Sequence, residues 1–403
     1  MKNSPCPMDN VVDFTSRPEL VQRGPTEVIA SSGAREDGAI SIDGLGECLL
    51  ADFFRKNGFS THPGAVCGTE EGAAQLGVAP QYFRLLRALM NILHRAGFLA
   101  EAGDSFVATD RWRDPHILEI LDNLSTHANR TATATPFLRP YVKLLWYCVQ
   151  AYPSVLSGRK NPLDILFPGG SFARVRGVYQ GNPVSDYYNA WAGAFVNDYI
   201  TRRLEADPAA IIRILEAGAG IGATTGAVLD SISAHRASIQ YVYTDLSPRF
   251  LQLGEKAYKP RHPFLDVQLL DLESSPEEQG FQRNRFDLVL AANAFHAVRR
   301  IDDALDRIKR LLKTNGVLLL IESVAPTIFQ TLTFGLTKEW WAYEDEAVRV
   351  EDSPLVSLPM WKRLLSRAGF RKAQAHHPSE ENFGGANQCA ILAESDGVVI
   401  VES

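Results

Sequence analysis

Arg213-Ile-Leu-Glu-Ala-Gly-Ala-Gly-Ile-Gly-Ala-Thr-Thr-Gly226 is the stretch that decides the fold. The aliphatic run Ile211 to Leu215 has the character of a buried parallel strand. It ends in an acid, Glu216. Gly218, Gly220 and Gly222 follow at alternate positions, and Ala223 to Ile232 reads as a helix. A strand that turns through closely spaced glycines into a helix N-terminus lets backbone approach a ligand. Two ligand classes use such a turn. A dinucleotide asks for G-x-G-x-x-G and rests its pyrophosphate on the helix N-terminus. Here the spacing is G-x-G-x-G, and Glu216 would sit badly beside a pyrophosphate. S-adenosylmethionine has no phosphate and carries an ammonium and a sulfonium, which an acid at a strand tip suits. A tight turn with no ligand is the third reading of the glycines alone.

Downstream of this turn, strands and helices alternate. Ile239 to Thr244 is a strand, with a helix from near Pro248. Phe264 to Leu270 is a third strand and Phe286 to Ala292 a fourth, followed by a helix over Asp302 to Lys313. Gly316 to Ile321 is a fifth strand. A helix over Leu358 to Ala368 and strands near Arg371 to His376 and Gln388 to Ala393 close the series. This order predicts an α/β fold built on a doubly wound parallel sheet.

Upstream, residues 1–38 are rich in Pro, Ser, Arg and Glu and read as a flexible leader. Residues 39–160 read as a mostly helical domain. It has an apolar stripe from Ile42 to Phe54 and a helix from Pro80 to His94, which carries Tyr82, Leu85, Leu86, Leu89 and Leu93. Gly97 stops that helix. Phe98-Leu-Ala and Phe106-Val-Ala-Thr109 then suit a hairpin, so the module resembles a winged helix. More helix runs from Pro115 to Val149, with Trp146 and Tyr147 assigned to the core. Residues 161–403 form the second domain, with a junction at 161–205 and a cap segment at 323–356.

Composition narrows the function. With 403 residues and 45% hydrophobic content, the chain can fill two cores. A net charge of −6 and a pI near 5.9 offer no general attraction to nucleic acid or anionic membrane. No apolar run approaches the roughly 18 residues of a membrane span, and the N-terminus lacks an apolar signal core. Five scattered cysteines with no Cys/His cluster fit reduced thiols in a cytoplasmic protein and give no metal site.

Ligands of open α/β sheets sit at the carboxyl ends of the strands. Collected there are Glu216 and the glycines, then Asp245, in position for ribose hydroxyls, with Leu246 for an adenine face. Asp271 and Leu272 follow, for the adenine edge, then Asn293-Ala-Phe-His296, and after the fifth strand Glu322. Any one acid could be a helix cap; polar ends on five successive strands are harder to dismiss.

Several longer segments carry a resemblance. Glu216-Ala-Gly-Ala-Gly-Ile-Gly-Ala-Thr-Thr225, Tyr243-Thr-Asp-Leu-Ser247, Asp271-Leu-Glu-Ser-Ser-Pro276, Gln279-Gly-Phe281 and Ala292-Asn-Ala-Phe-His-Ala297 resemble the C-methyltransferase domains of polyketide synthases. So do Leu166-Phe-Pro-Gly-Gly-Ser171 and the later Tyr188-Asn189. The similarity covers roughly residues 160 to 395. Ala217 and Val298 depart from the usual pattern, without removing a functional group. Family domains are usually embedded in a megasynthase, whereas this chain reads as a free-standing form.

The resemblance implies the seven-stranded, Rossmann-like class I methyltransferase sheet, with its last strand inserted antiparallel. It implies S-adenosylmethionine as cofactor and a His296–Glu322 dyad as general base. It places Tyr188 and Asn189 on the substrate side. A winged module can bind DNA or serve a methyltransferase as a covering or dimerising domain. The acidic chain, and Leu and Tyr where a recognition helix would want exposed Arg or Lys, favour covering, and a homodimer is compatible with it. The expected reaction is methyl transfer to the α-carbon of a β-ketoacyl thioester held on an acyl carrier protein or polyketide synthase. That carbon is acidified by two carbonyls, and neutral histidine suits the proton transfer.

Trp340, Trp341 and Tyr343 are candidates for an acyl pocket, with ordinary packing an equal alternative for the two tryptophans, while Glu344, Asp345 and Glu346 read as solvated. The basic residues from Arg299 to Lys313 could face an acidic carrier, but a solvated helix explains them more simply. Two rivals stay open. One is a small-molecule O-methyltransferase using the same histidine; the other is a non-methylating S-adenosylmethionine-binding regulator. The Phe-Pro-Gly-Gly and Gln-Gly-Phe segments argue against the first, and the dyad against the second.

Overall fold

The computed structural model describes residues 40–377 and 387–398. The leader expected at 1–38 lies outside the described residues. In the N-terminal part, helices Ile42–Lys56, Thr69–Leu76 and Phe83–Arg95 accompany a small antiparallel sheet. Its strands β1 (Val66–Gly68), β2 (Leu99–Ala102) and β3 (Ser105–Ala108) lie in the order β1-β3-β2. The hairpin thus falls where the sequence puts it. Helix Phe83–Arg95 is strongly two-faced: Leu85, Leu86, Leu89, Ile92 and Leu93 are buried, while Arg84 and Arg87 point outward. The apolar cluster around it runs on to Val175 and takes in Phe329, Leu332 and Leu336 from beyond the fifth parallel strand. Tyr147 departs from its expected core position. It is 45% exposed on helix Arg139–Val155, with the Arg174 guanidinium over its ring, and Trp146 is half-buried.

The second part is one seven-stranded sheet. Its strands are β4 (Ile212–Ala217), β5 (Ile239–Asp245), β6 (Leu265–Leu269), β7 (Phe286–Ala292), β8 (Leu312–Ser323), β9 (Phe370–His376) and β10 (Gln388–Ser395). Their order is β6-β5-β4-β7-β8-β10-β9. The first five are parallel, and β10 is antiparallel to both neighbours. Successive strands are therefore laid down outward from β4 first through β5 and β6 and then, on its other side, through β7 and β8, and the crevice at that switch is where such sheets bind ligands. Strand β8 is longer than expected, and Glu322 lies inside it, paired with Cys389 of β10, rather than after its end.

Helix Ile301–Leu311 buries Ile301, Ala304, Leu305, Ile308 and Leu311 in a cluster with Trp361, Leu364 and Leu365 of helix Leu358–Arg367. One basic residue assigned to its solvated face is not there. Lys309 is 5% exposed; its ammonium lies 2.8 Å from Asp396 and donates to the carbonyl of Ala368 at 2.6 Å. Residue Lys313, expected to end the helix, belongs to β8 and pairs with buried Asp287 at 2.8 Å. Among the described residues, no helix is long and apolar enough to cross a membrane.

Candidate active site

The parallel register brings the strand ends to one edge. Glu216 stands beside Tyr243, Asp245 beside Leu269, and Ala292 beside Ile321. A cavity of about 750 Å³ opens there. On one side it is lined by Gly218, Gly220, Asp245, Leu246, Asp271, Leu272 and Asn293, and on another by Tyr188 and Asn189.

The glycine turn is built for close approach. Gly218 has φ +67°, and a Cβ there would meet the side chain of Ala294 at 2.6 Å. Gly220 has φ +59°, with nothing nearer than 4.0 Å to a Cβ, so a side chain would intrude on the space above the turn. Glu216 does not line the cavity. It is buried beneath the turn, where Oε2 accepts the hydroxyls of Thr225 and Tyr241, each at 2.7 Å. Burial pushes its carboxyl up to about 7, against the pull of those two hydroxyls.

Asp245 tightens the same turn. One carboxylate oxygen accepts the Gly220 N–H at 2.9 Å and the other the Ser247 N–H at 2.8 Å. Burial raises its pKa, and these backbone bonds oppose the rise. Leu246 beside it is 63% exposed on the cavity wall.

The loop after β6 is locked by Gln279. Its side-chain carbonyl accepts the Asp271 N–H at 2.7 Å, and its amide donates back to the Asp271 carbonyl at 2.9 Å. Gly280 turns the chain at φ +88° and Phe281 is buried behind it. The Gln-Gly-Phe segment thus sets the shape of the Asp271–Leu272 wall. The sequence displayed that motif without disclosing its task.

At the end of β7, Asn293 takes a left-handed φ of +51°. Its N–H donates to the Ile321 carbonyl at 2.7 Å, and its side-chain oxygen accepts the Ser323 N–H at 3.2 Å. This turn sets Ala294 to Ala297 over the end of β8. There Nδ1 of His296 lies 2.8 Å from Oε2 of Glu322. Oε1 of Glu322 accepts the N–H groups of Ala294 at 3.0 Å and Phe295 at 2.9 Å. Glu322 is fully buried and serves three donors, which assigns the proton of neutral His296 to Nδ1 and leaves the Nε2 lone pair free. The His296 side chain is 16% exposed; Ala294 and Ala297 line the cavity, whereas His296 is not one of its lining residues.

Tyr188 and Asn189 are nearly buried cavity residues. The Tyr188 hydroxyl donates to the carbonyl of Gln388, and the Asn189 side-chain oxygen accepts the Thr224 hydroxyl at 2.8 Å. The two tryptophans do not line the cavity; their neighbours Lys338, Glu339 and Ala342 do. Trp341 donates its indole N–H to the Gly335 carbonyl at 2.8 Å and packs on the N-terminal core. Trp340 is buried, with its ring 6.4 Å from that of His296. Phe167, Val175, Tyr179 and Phe250 extend the wall with apolar surface. Phe167 lies in the Phe-Pro-Gly-Gly segment, and the other three carried no signal beyond apolarity. Asp345, expected in solvent, is 12% exposed and pairs with Arg349.

A glycine cradle, two acids on neighbouring strand ends and an exposed leucine between them fit an adenosyl group carried by a cation. Residues 215–318 match the methyltransferase domain family. Polyketide synthase PksM of Bacillus subtilis (strain 168) is 35% identical over 319 residues, 79% of this chain and 7% of PksM. The chain therefore spans a small fraction of the length of such relatives. The crystal structure of DszA carbon methyltransferase is similar at a TM-score of 0.81 and 38% identity, covering 89% of this chain and 90% of that one. CurJ carbon methyltransferase gives 0.79 at 27% identity, covering 88% and 91%. The chain belongs to the carbon methyltransferase family of polyketide synthases, whose members are S-adenosylmethionine-dependent enzymes.

Proposed function

We propose that this protein methylates the α-carbon of a β-ketoacyl thioester, with His296 as general base and Glu322 as its orienting partner. The observation that carries this reading is the Nδ1–Oε2 contact of 2.8 Å at the ends of β7 and β8, beside the cavity. S-adenosylmethionine supplies the electrophilic methyl group. Asp245, Leu246, Asp271 and Leu272 would hold its adenosyl half, and Gly218, Gly220 and Asn293 its remainder. Glu216 acts from below by fixing Thr225 and Tyr241 around the turn.

The chemistry assigned to the dyad is a proton transfer. Nε2 of His296 takes the α-proton of the acceptor, and Glu322 stabilises the imidazolium that results. In this account Glu322 orients the ring through Nδ1–H and takes no proton itself. Tyr188 and Asn189 line the same cavity, and we assign them to the acceptor. An acyl group tethered to a carrier protein fits a cavity that is open at one edge and partly apolar. The polyketide synthase relatives support that tether.

The experiment is an acceptor panel. The protein is incubated with S-adenosylmethionine and β-ketoacyl carriers, free β-ketoacyl thioesters or phenols, and mass spectrometry follows methyl gain. Methylation of the β-ketoacyl acceptors and not of phenols is expected. Preferential methylation of phenols would replace this reading with an O-methyltransferase.

A further inference from the structure

The loop that carries His296 is held from two sides by opposite charges. Glu322 takes the N–H groups of Ala294 and Phe295. The carbonyls just beyond point the other way, to one guanidinium from the cap segment. Nη1 of Arg349 donates to the His296 carbonyl at 3.0 Å and to that of Pro354 at 2.6 Å. Nη2 donates to Val298 at 2.7 Å and more weakly to Arg299 at 3.4 Å. The remaining nitrogen, Nε, pairs with Asp345, whose second oxygen accepts the Ile301 N–H at 2.8 Å. The Arg349 side chain is 1% exposed. Such a fork cannot be reproduced by a point charge, because its donors are fixed in one plane.

The hold has a support. The Tyr343 ring lies 5.5 Å from the Arg349 guanidinium and 4.4 Å from that of Arg84, on the N-terminal helix Phe83–Arg95. Arg84 also donates to the Trp341 carbonyl at 2.8 Å and pairs with Glu346 at 3.0 Å. The cap is thereby tied to the histidine loop on one side and to the N-terminal helices on the other.

We propose that Arg349 is a positioning residue for the base. It fixes the backbone of His296 while Glu322 fixes the ring, so that Nε2 keeps one direction. Arg349 touches neither acceptor nor cofactor in this account. The inference rests on the reading of His296 as base. Misplacing a catalytic group by about 1 Å can cost on the order of 100-fold in rate.

The test compares Arg349→Lys, which keeps the charge and loses the fork, with Arg349→Met. The double variant Arg349→Met with Asp345→Asn removes both buried charges and serves if Asp345 left alone prevents folding. Steady-state methylation is measured with S-adenosylmethionine and the N-acetylcysteamine thioester of acetoacetate, and cofactor affinity by calorimetry. In folded protein, kcat should fall about 10- to 100-fold in each variant, while KM and cofactor Kd stay at wild-type values. Folded variants with wild-type kcat, or with losses confined to KM or cofactor Kd, overturn the proposal. His296→Ala is run beside them. If it is inactive while the Arg349 variants are normal, the Arg349 role alone fails. If it retains turnover, the base reading fails and this inference with it.

Discussion

Nδ1 of His296 lies 2.8 Å from Oε2 of Glu322, whose other oxygen takes two backbone N–H groups of the histidine's own loop. One carboxylate thus sets both the ring and the backbone that bears it. Glu322→Gln would put an amide where the Nδ1–H needs an acceptor and remove the charge that steadies the imidazolium. Turnover should fall by about 10² to 10⁴, the range that general-base catalysis spans, with cofactor affinity unchanged by calorimetry. An active Glu322→Gln would show that the carboxylate is a loop anchor alone.

Asp245→Asn tests the cofactor assignment. Asparagine keeps an oxygen for one of the two N–H groups that Asp245 holds, but it lacks the charge and the full acceptor capacity proposed for the ribose. Hydrogen bonds to charged groups are worth about 1.5–3 kcal/mol, so cofactor Kd should rise about 10- to 100-fold. Calorimetry reads this directly, and an unchanged Kd removes Asp245 from the cofactor contacts.

Glu216 predicts a pH dependence of stability. Its folded carboxyl is pushed up to about 7 by burial, from 4.5 in an ordinary environment. Between those values the folded chain holds a proton that the unfolded chain has lost, so this group's contribution to stability falls as pH rises from 4.5 through 7 and is flat above. The size is on the order of 3 kcal/mol. Glu216→Gln should lack that slope: relative to wild type, it should gain stability between pH 5 and pH 7.5 in urea unfolding. Parallel pH profiles would place the Glu216 carboxyl in its ordinary range.

Lys309 and Asp396 make a pair that neither residue type announces. Burial alone would raise the Asp396 pKa, but Lys309 hydrogen bonding, with its charge, holds it below the usual value. That stabilisation is present above the unfolded carboxyl's pKa and is lost as pH falls through the lower, folded one. Asp396→Asn leaves the nearly buried ammonium with a carbonyl and no counter-charge. It should destabilise by about 1–2 kcal/mol in urea, less than for a fully buried pair because the Asp396 side chain is 28% exposed. The double variant with Lys309→Met should recover much of that loss. A double-variant loss equal to the sum of the Asp396→Asn and Lys309→Met losses would show that the two residues act independently.

The centre of the sheet was legible because β4, β5, β7 and β8 are mainly apolar runs followed by a polar break. Glycines Gly218 and Gly220 could be placed because the turn needs left-handed backbone and open space at one spot. His296 and Glu322 are picked out with the other strand-end residues, and their pairing as a dyad comes from the resemblance to polyketide-synthase C-methyltransferase domains. What escaped depends on partners far along the chain. Arg349 reaches a carbonyl 53 residues away, and nothing local separates it from a surface arginine. Asp345 sits between two glutamates and shares their local signature, yet it alone of the three turns inward to Arg349 and Ile301. Trp341 has the composition of a pocket residue, and its indole N–H is spent on Gly335 instead.

The central claim is that the methyl group goes to carbon, through His296. The most direct measurement uses S-adenosylmethionine labelled with ¹³C in its methyl group and a β-ketoacyl thioester, followed by two-dimensional NMR of the product. The account predicts a labelled methyl coupled to the α-carbon in the wild-type reaction and none above background with His296→Ala. A labelled methyl on the enol oxygen, or an α-methyl product formed equally well by His296→Ala, would contradict it.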